Sequence, residues 1–310
     1  MRNLKQHFGI GLLLLVVVFG LIGCGEAEKT VIPVVTNPFE GATVGTDSTL
    51  EIATWNLEHF AKNGDKTLAV VLQAVEAMDI DIIALQEIES FSSFRNLRES
   101  LVSWEGDRAT SAGYAMNLAF LYRVDGDLQV DSVYEILVDY SREFPRRPFV
   151  LEGRYKDIPI VVINNHLKCC GDGYITEEYD DEETRRRDAM ILLDDFIRVN
   201  YAGKNVVVVG DMNDTLTDEA VRNVFQNFLD APDHYLFVDM DIATGPASGW
   251  SFPGWPSHLD HILITAPLFP AYQGAETLVQ VVPLHAFMRD FTEFDSKVSD
   301  HLPVVLKLEL

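Results

Sequence analysis

The stretch VVVVGDMND, residues 206–214, joins four consecutive valines to a group of polar side chains. A run of β-branched residues followed by Gly is typical of a buried strand that ends in a tight turn. Asp211 and Asn213 follow at once, and charged groups at the end of a buried strand must be paired or must hold a metal ion. The stretch therefore predicts a functional edge of a β-sheet. Asp214 is interpreted as a loop or helix-capping residue.

Five other segments place polar residues where predicted strands end or begin. In chain order these residues are Asn56 in ATWNLEHF, Glu87 in ALQEIES, His166 in INNHLK, Asp260 in SHLDHIL, and Asp300 with His301 in SDHLPV. Each motif is weak alone, because Gly-Asp marks many ordinary turns and Asp-His near a terminus is often a cap. Together the six segments predict one polar floor at a common rim of the fold.

Strand-like and helix-like segments alternate along the chain without a regular β-α-β series. Predicted strands cover residues 50–56, 81–87, 117–123, 128–137, 147–155, 158–167, 205–211, 258–265 and 301–310. Apolar residues at helical spacing predict helices over residues 65–78, 94–104, 177–201 and 216–229. Mixed strands with several helices indicate two packed β-sheets sandwiched by helices.

The order of the polar motifs resembles the endonuclease/exonuclease/phosphatase family, whose fold is that of pancreatic deoxyribonuclease. The motifs that carry the resemblance are WN (55–56), QE (86–87), NHLK (165–168), GDMND (210–214), LDHI (259–262) and SDHLPV (299–304). The resemblance spans residues 50–310. It implies an α/β (α+β) fold, a four-layer αββα sandwich in which helices flank two packed mixed β-sheets.

The resemblance also implies a metal site. Glu87 resembles the principal carboxylate ligand of a divalent cation, and Asn56 and Asp300 resemble its helpers around the metal. Hard oxygen ligands of this kind suit Mg²⁺ or Mn²⁺ better than Zn²⁺. Because a phosphodiester anion repels hydroxide, a cation and positioned donors must neutralise the charge that develops on phosphorus.

The implied catalytic residues are His301, Asp260, Asp211, Asn213 and His166. His301 resembles the general base, and Asp260 would hold its imidazole in the right tautomer. By the same resemblance, Asp211 and Asn213 orient the attacking water and grip the scissile phosphate. His166 would donate to a phosphate oxygen or to the leaving group.

Two basic residues resemble phosphate ligands. Arg146 in FPRRPF resembles an arginine near phosphate in some family members, although the sequence leaves open whether Arg146 or Arg147 points inward. Lys168 is assigned to phosphate binding on the same basis, and a surface position fits both Arg146 and Lys168 equally well.

One feature departs from the family pattern. The acid that partners the histidine equivalent to His166 is replaced at Met116 and Asn117, so His166 is expected to lack a carboxylate partner.

For four residues beside the motifs, packing or a place at the rim is favoured over a role in catalysis: His258, His261, His59 and Trp55.

The N-terminus predicts a lipid anchor. Arg2 and Lys5 precede the apolar run GIGLLLLVVVFGLIG, and residues 21–24, Leu-Ile-Gly-Cys, resemble a bacterial lipobox. The resemblance implies that residues 1–23 are removed as a signal peptide and that Cys24 is diacylated. An uncleaved membrane anchor is the alternative, although the run is short for a span of about 20 residues.

The domain organisation follows from this interpretation. We expect a tether over residues 24–48 and a single domain over residues 49–310, outside the cytoplasm and attached to the membrane by lipid. Gly25 after the modified Cys favours the outer membrane, if the cell has one.

Composition limits the choice of partner. The formal net charge is −24, and such a surface repels nucleic acid and anionic lipid unless a cation intervenes. Besides Cys24, the chain has only the adjacent Cys169 and Cys170, too few for a cysteine metal site. A vicinal disulfide and two free thiols are both compatible with the sequence.

Three functions are compatible with the motifs. The favoured hypothesis is an extracytoplasmic nuclease, dependent on Mg²⁺ or Mn²⁺, with DNA or RNA as its substrate. The alternative is a phosphatase or a phospholipase/sphingomyelinase-like phosphodiesterase that acts on another phosphoester. A non-catalytic binding protein is the third, and the joint presence of His301 and Asp260 argues against it, because binding does not require a base with its orienting acid.

Overall fold

A computed structural model describes residues 37–113 and 116–310. The predicted signal peptide, Cys24 and the first part of the predicted tether lie outside these residues. Within them, no helix combines the length and the apolar character needed to cross a membrane.

Within the described ranges, twelve strands form the centre of the fold. They are β1 (Leu50–Phe60), β2 (Ile82–Ile88), β3 (Trp104–Arg108), β4 (Asn117–Arg123), β5 (Leu128–Glu135), β6 (Phe149–Tyr155), β7 (Ile158–His166), β8 (Val206–Asp211), β9 (Tyr235–Phe237), β10 (Asp260–Thr265), β11 (Leu278–Val281) and β12 (Val304–Leu308). The α-helices are α1 (Asp65–Met78), α2 (Phe91–Ser100), α3 (Glu182–Asn200), α4 (Gln226–Leu229), α5 (Met240–Ala243), α6 (Phe269–Tyr272) and α7 (Phe291–Lys297).

The strands form two six-stranded mixed sheets. The first has the order β11-β12-β1-β2-β4-β3 and the second β5-β6-β7-β8-β10-β9. Two central pairs are parallel, β1 with β2 and β7 with β8, and the remaining pairs are antiparallel. Parallel neighbours end at the same edge of a sheet, so the polar ends of each central pair lie side by side.

The valine run of β8 is buried on both faces because side chains alternate along a strand. Val207 and Val209 face the other sheet, in a core shared with β1 and β12. Val206 and Val208 belong to a second core, together with the apolar face of α3. Gly210 has a φ of 149°, and a Cβ there would lie 2.0 Å from the backbone oxygen of Asn165 on β7, so only glycine fits.

Helices cover the outer face of each sheet. Helix α1 packs Val71, Val75 and Met78 into a core with Ala53 and Leu85 of the first sheet. Helix α3 covers the second sheet. The four layers confirm the predicted αββα sandwich of two packed mixed sheets flanked by helices.

The helix predicted over residues 216–229 is wrong in its extent, because only Gln226–Leu229 is α-helical. The Asn223 side chain donates to the backbone oxygen of Leu216 at 2.9 Å and holds a series of turns instead. Such local side-chain bonds compete with helix formation. The prediction also missed β3, β9 and β11, which are short strands at or near sheet edges.

The second part of the predicted tether packs against the domain. Phe39, Ala42 and Val44 are buried in the same core as the inner face of α1. The backbone N–H of Val44 donates to the oxygen of Met78 at the end of that helix. Ordered packing therefore begins before residue 49, the boundary predicted from the sequence.

Candidate active site

Asp211 lies at the centre of the polar rim because β8 runs between β7 and β10. In the strand registers, Asp211 is paired with His166 on one side and with Asp260 on the other. Its carboxylate Oδ2 lies 3.5 Å from Nε2 of His166 and 3.8 Å from Nε2 of His301. The second sheet thus supplies three of the predicted residues from adjacent strand ends.

The first sheet contributes Asn56 and Glu87. Asn56 Nδ2 donates to Asp211 Oδ2 at 2.9 Å, across the space between the two sheets, and to Glu87 Oε1 at 3.3 Å. The register of β2 shifts against both of its neighbours beside Glu87. Glu87 itself has a φ of 60°, a left-handed conformation that is uncommon for a non-glycine residue and clusters at functional sites.

His301 and Asp260 form a hydrogen-bonded pair. Nδ1 of His301 lies 2.7 Å from Oδ2 of Asp260, and both residues are buried. Because Asp260 accepts at Nδ1, the other ring nitrogen, Nε2, is left facing Asp211. The histidine is held in place by its backbone, since Trp55 Nε1 donates to its oxygen and Ser299 Oγ accepts from its N–H.

The charges at the rim are unbalanced toward the negative. Burial raises the pKa of Asp211 to about 6, with a further contribution from Asp260, while His301 acts to lower it. Burial opposes charge on His301, but the carboxylates of Asp260 and Asp211 outweigh it and raise the pKa of His301 to about 10. Neutralising these carboxylates removes the cause of the raised pKa, so a cation at the rim favours a neutral His301.

The donor set fits a hard divalent cation. Burial raises the pKa of Asp300 to about 6, and the nearby carboxylates of Glu58 and Glu87 raise it further. The backbone N–H of Asp300 donates to Oε2 of Glu58, so Glu58 belongs to the same cluster of carboxylates. A cation relieves the repulsion among crowded carboxylates, and carboxylate oxygens suit Mg²⁺ or Mn²⁺.

Of the three predicted ligands, Glu87 and Asp300 offer carboxylates, whereas Asn56 presents its amide nitrogen to Glu87 and Asp211. The Asn56 oxygen instead accepts from the N–H of Glu58 at 2.9 Å. In this arrangement Asn56 orients the carboxylates.

His166 is buried, and its Nδ1 has no hydrogen-bond partner within the described part of the chain. This agrees with the expected loss of an acidic partner at Met116 and Asn117. Burial, with Arg146 and His301 nearby, lowers the pKa of His166 well below its usual value. A neutral ring carries one proton, and the carboxylates of Asp211 and Glu87 near Nε2 favour that proton on Nε2.

Arg146, not Arg147, points inward. Arg146 Nη2 donates to the backbone oxygen of Leu167, and its Nε is buried without a partner among the described residues. Arg147 is partly exposed and lies 3.8 Å from Glu135. Lys168 is at the rim, where Nζ donates to the oxygen of Cys169 and lies 3.5 Å from Glu182.

The turn after β8 is fixed by its own side chains. The N–H of Asn213 donates to Asp211 Oδ1, and Asn213 has a φ of 53°. Its amide Nδ2 donates to the oxygen of Leu167, one residue after His166. Asp214, interpreted from the sequence as a loop or capping residue, forms a buried ion pair with Arg186 at 2.8 Å.

A second polar cluster lies behind the rim, where Asp239 contacts two histidines. Asp239 Oδ2 lies 2.6 Å from His261 Nδ1 and 3.0 Å from His258 Nε2. His261 Nε2 lies 2.9 Å from the oxygen of Asp214, so both ring nitrogens of His261 face acceptors and both carry protons. The three groups could hold a metal by their proximity, but the hydrogen bonds already satisfy them.

Several residues that support the site were not singled out from the sequence. Glu58 joins the acidic group, Ser299 and Asp239 hold site segments, and the ring of Phe252 packs on His301 with centroids 4.7 Å apart. Glu58 and Ser299 lie within the ATWNLEHF and SDHLPV motifs and could have been found there. The packing interpretation of Trp55, His258 and His261 agrees with their burial, and exposed His59 contacts Glu89.

Comparison with known proteins gives the same family as the motifs. A model described as the Endonuclease/Exonuclease/phosphatase family matches residues 53–301. This range contains all the predicted metal and catalytic residues, from Asn56 to His301. No curated protein sequence matches the chain significantly.

Three solved structures illustrate the likeness of the fold. TDP2 of D. rerio in complex with a single-strand DNA product aligns with a TM-score of 0.63 at 15% identity, over 85% of this chain and 100% of that one. The human Nocturnin catalytic domain with bound sulfate has a TM-score of 0.57 at 15% identity, over 86% and 96%.

A Bacteroides thetaiotaomicron mannosyl-6-phosphatase aligns with a TM-score of 0.57 at 15% identity, over 84% and 100%. Identities this low establish the shared fold alone.

Proposed function

Because the chain belongs to the Endonuclease/Exonuclease/phosphatase family of hydrolases, we propose that it is a metal-dependent nuclease that cleaves phosphodiester bonds by in-line attack of an activated water. The observation that carries the reaction class is the His301–Asp260 pair, whose free Nε2 faces Asp211. A base with its orienting acid has no use in a protein that only binds a ligand.

In this mechanism His301 takes the proton from the attacking water at Nε2. Asp260 fixes the tautomer through Nδ1 and stabilises the imidazolium that results. Asp211 accepts from the same water, because Oδ2 lies between His166 and His301. Asn213 is held by its bond to Asp211 and presents its amide to the scissile phosphate.

The phosphate is gripped from the other side of the rim. His166 donates from Nε2 to a phosphate oxygen, as a neutral donor and not as a strong acid. Arg146 has an unpaired buried Nε and donates to a phosphate oxygen, while Lys168 binds at the edge. These donors stabilise charge where it develops in the transition state.

The metal site consists of Glu87 and Asp300, with Asn56 as their orienting residue. Mg²⁺ or Mn²⁺ bound there supplies charge neutralisation for the phosphate and for the crowded carboxylates. The raised pKa of Asp300 supports this assignment.

Nucleic acid is the favoured substrate, and two observations support it. The sequence NHLK at the end of β7 resembles extracellular nucleases, and a structural neighbour is a complex with single-strand DNA. Phosphatase action on a small phosphoester is the second candidate. It is favoured by the formal charge of −24, because a strongly acidic surface weakens binding to a polyanion.

We also propose that the protein is a bacterial lipoprotein outside the cytoplasm. The lipobox-like Leu-Ile-Gly-Cys at residues 21–24 supports diacylation of Cys24, with residues 1–23 removed. A Cys24→Ser variant should abolish incorporation of labelled palmitate, and globomycin should block removal of residues 1–23. Unchanged labelling in the variant contradicts the assignment.

The substrate test uses a panel assayed with Mg²⁺ or Mn²⁺. Protein that lacks residues 1–24 should cleave plasmid DNA or RNA, whereas His301→Ala and Asp211→Ala variants should be nearly inactive. Release of phosphate from a sugar phosphate, or of phosphocholine from sphingomyelin, without nucleic-acid cleavage supports the second candidate. No hydrolysis of any phosphoester contradicts both.

A further inference from the structure

The adjacent thiols of Cys169 and Cys170 lie on the loop that follows β7, three and four residues after His166. Both cysteines are free in the structure, and their Sγ atoms are 2.7 Å apart. This separation is shorter than a van der Waals contact between sulfur atoms, and the proposed reaction of the active site does not use either thiol.

The loop backbone holds the two side chains together. Arg186 Nη1 donates to two carbonyls, that of Lys168 at 2.8 Å and that of Cys170 at 2.7 Å. One guanidinium nitrogen therefore clamps the chain on both sides of Cys169. Arg186 is buried and is fixed in turn by Asp214.

Local conformation adds to this constraint. Cys170 has a φ of 74°, in the left-handed region that a non-glycine residue seldom adopts. Gly171 follows with a φ of 111°, and a Cβ there would lie 2.2 Å from Glu183 Oε1, so the loop packs closely against the start of α3. The neighbouring thiols are thus presented by a tightly packed turn.

We propose that Cys169 and Cys170 are a modification site, at which a disulfide oxidant converts the pair reversibly into a vicinal disulfide. Cys170 is exposed, so its thiolate attacks the oxidant, and one thiol of the oxidant leaves. Cys169 then attacks Cys170 Sγ and releases the second thiol. Two electrons and two protons pass from the cysteines to one disulfide, which becomes two thiols.

The order of attack follows from the environment of each thiol. Burial raises the pKa of Cys169, and the neighbouring Cys170 raises it further, so Cys169 is a poor first nucleophile. Its Sγ is nevertheless close to Cys170 Sγ, so it resolves any adduct that forms there.

The cysteine pair lies beside the catalytic rim, because Leu167 on the same loop accepts from both Arg146 and Asn213.

The test exposes full-length protein to defined ratios of glutathione disulfide to glutathione, followed by acid quenching, alkylation and trypsin. Cleavage after Lys168 and Arg185 isolates one peptide with both cysteines, separate from Cys24. We expect this peptide to lose two hydrogen atoms and to carry no glutathione. Half-oxidation of the folded protein should need a ratio of glutathione disulfide to glutathione about tenfold lower than half-oxidation of the protein unfolded in guanidinium.

Matched variants separate the two steps. Cys169→Ser should accumulate a glutathione adduct on Cys170, because the resolving thiol is missing, and Cys170→Ser should form its adduct more slowly. Glutathione adducts on the wild-type peptide, or two alkylated thiols at every ratio, overturn the proposal. Equal ratios for folded and unfolded protein also overturn it, because the fold would then contribute nothing.

Discussion

Asp260 Oδ2 lies 2.7 Å from Nδ1 of His301, and the two residues come from strands or strand ends of different sheets. Asp260 begins β10 in the second sheet, and His301 precedes β12 in the first. The pair therefore exists only when the two sheets are packed face to face. Catalytic activity should therefore depend directly on the alignment of the two sheets at this rim.

Replacing Asp260 with Asn should lower kcat by about 10²–10⁴-fold, the usual contribution of an acid–base group. The amide can donate to Nδ1, which places the ring proton on Nε2, where the water must be deprotonated. Steady-state kinetics with the best substrate of the panel checks this, beside a thermal melt to show that the fold is kept.

The double variant Asp260→Asn, His301→Ala provides the control for that effect. Residues that act as a unit have non-additive effects, so the double variant should be no slower than His301→Ala alone. Multiplied losses would show that Asp260 acts by another route.

Glu87→Gln should weaken Mn²⁺ binding by more than about 10-fold, since even residues that only support metal ligands contribute about 10–100-fold. The change keeps the size of the side chain and removes a charge from the carboxylate group near Asp300. Calorimetric titration with Mn²⁺ measures the effect without reference to any substrate.

Glu89→Gln is the matched comparison for the metal site. Glu89 lies two residues further along, is partly exposed and contacts His59. The Glu89→Gln change removes the same charge from the same region as Glu87→Gln. Equal losses of Mn²⁺ affinity in both variants would mean that net charge, and not ligation by Glu87, determines binding.

The sequence predicts the site well where the chemistry lies inside a strand motif. Asn56, Glu87, His166 and Asp211 each follow an apolar run, so strand periodicity places them at one rim. The choice between Arg146 and Arg147 could not be made in this way, because adjacent residues on an irregular segment have no fixed face. It depends on the backbone of Leu167, which lies 21 residues beyond Arg146.

Asp239 shows what the sequence alone could not give. It stands in the apolar segment YLFVDMD with no motif around it, and its partners His258 and His261 lie 19 and 22 residues away. Only the pairing of β9 with β10 brings these side chains together. The same dependence on tertiary pairing explains why the short strands β3, β9 and β11 were missed.

Stability should fall as the pH rises from about 4.5 to about 8 because of Glu51. Burial raises the pKa of Glu51 from 4.5 to about 8, against the bond from Thr49 and with help from Asp81. A carboxyl with a raised folded-state pKa stabilises fully below its unfolded pKa, and this stability is lost as the pH approaches the folded value.

Glu51→Gln should remove this pH dependence and raise the unfolding midpoint at pH 8. The amide can imitate the protonated acid, which hydrogen-bonds to Asp81. Urea denaturation at pH 5 and pH 8 measures both effects. A variant whose stability has the same slope against pH as the wild type would show that other groups cause the pH dependence. The substituted residue lies at the start of β1, away from the active-site residue Asn56.

Asp239→Asn should destabilise the fold by about 3–5 kcal/mol, the usual effect of removing one partner from a buried ion pair. His261 is protonated at both nitrogens, between Asp239 and the oxygen of Asp214, and would be left as an uncompensated buried charge. The variant should also lower kcat, because its amide nitrogen would face the donor at His261 Nδ1 and displace a side chain that also holds the N–H of Ile262, two residues after Asp260.

Asp241→Asn is the comparison for that variant, since Asp241 is exposed and two residues away. Its free energy of unfolding should be within about 0.5 kcal/mol of that of the wild type.

The pKa of Asp239 is held well below its usual value by His261 and His258, against the effect of burial. Its stabilisation is therefore complete above pH 3.8 and is lost only as the pH falls further. The deficit of Asp239→Asn in urea should accordingly be present at pH 5 and shrink toward pH 2; a deficit that grows in acid would contradict an ionised Asp239.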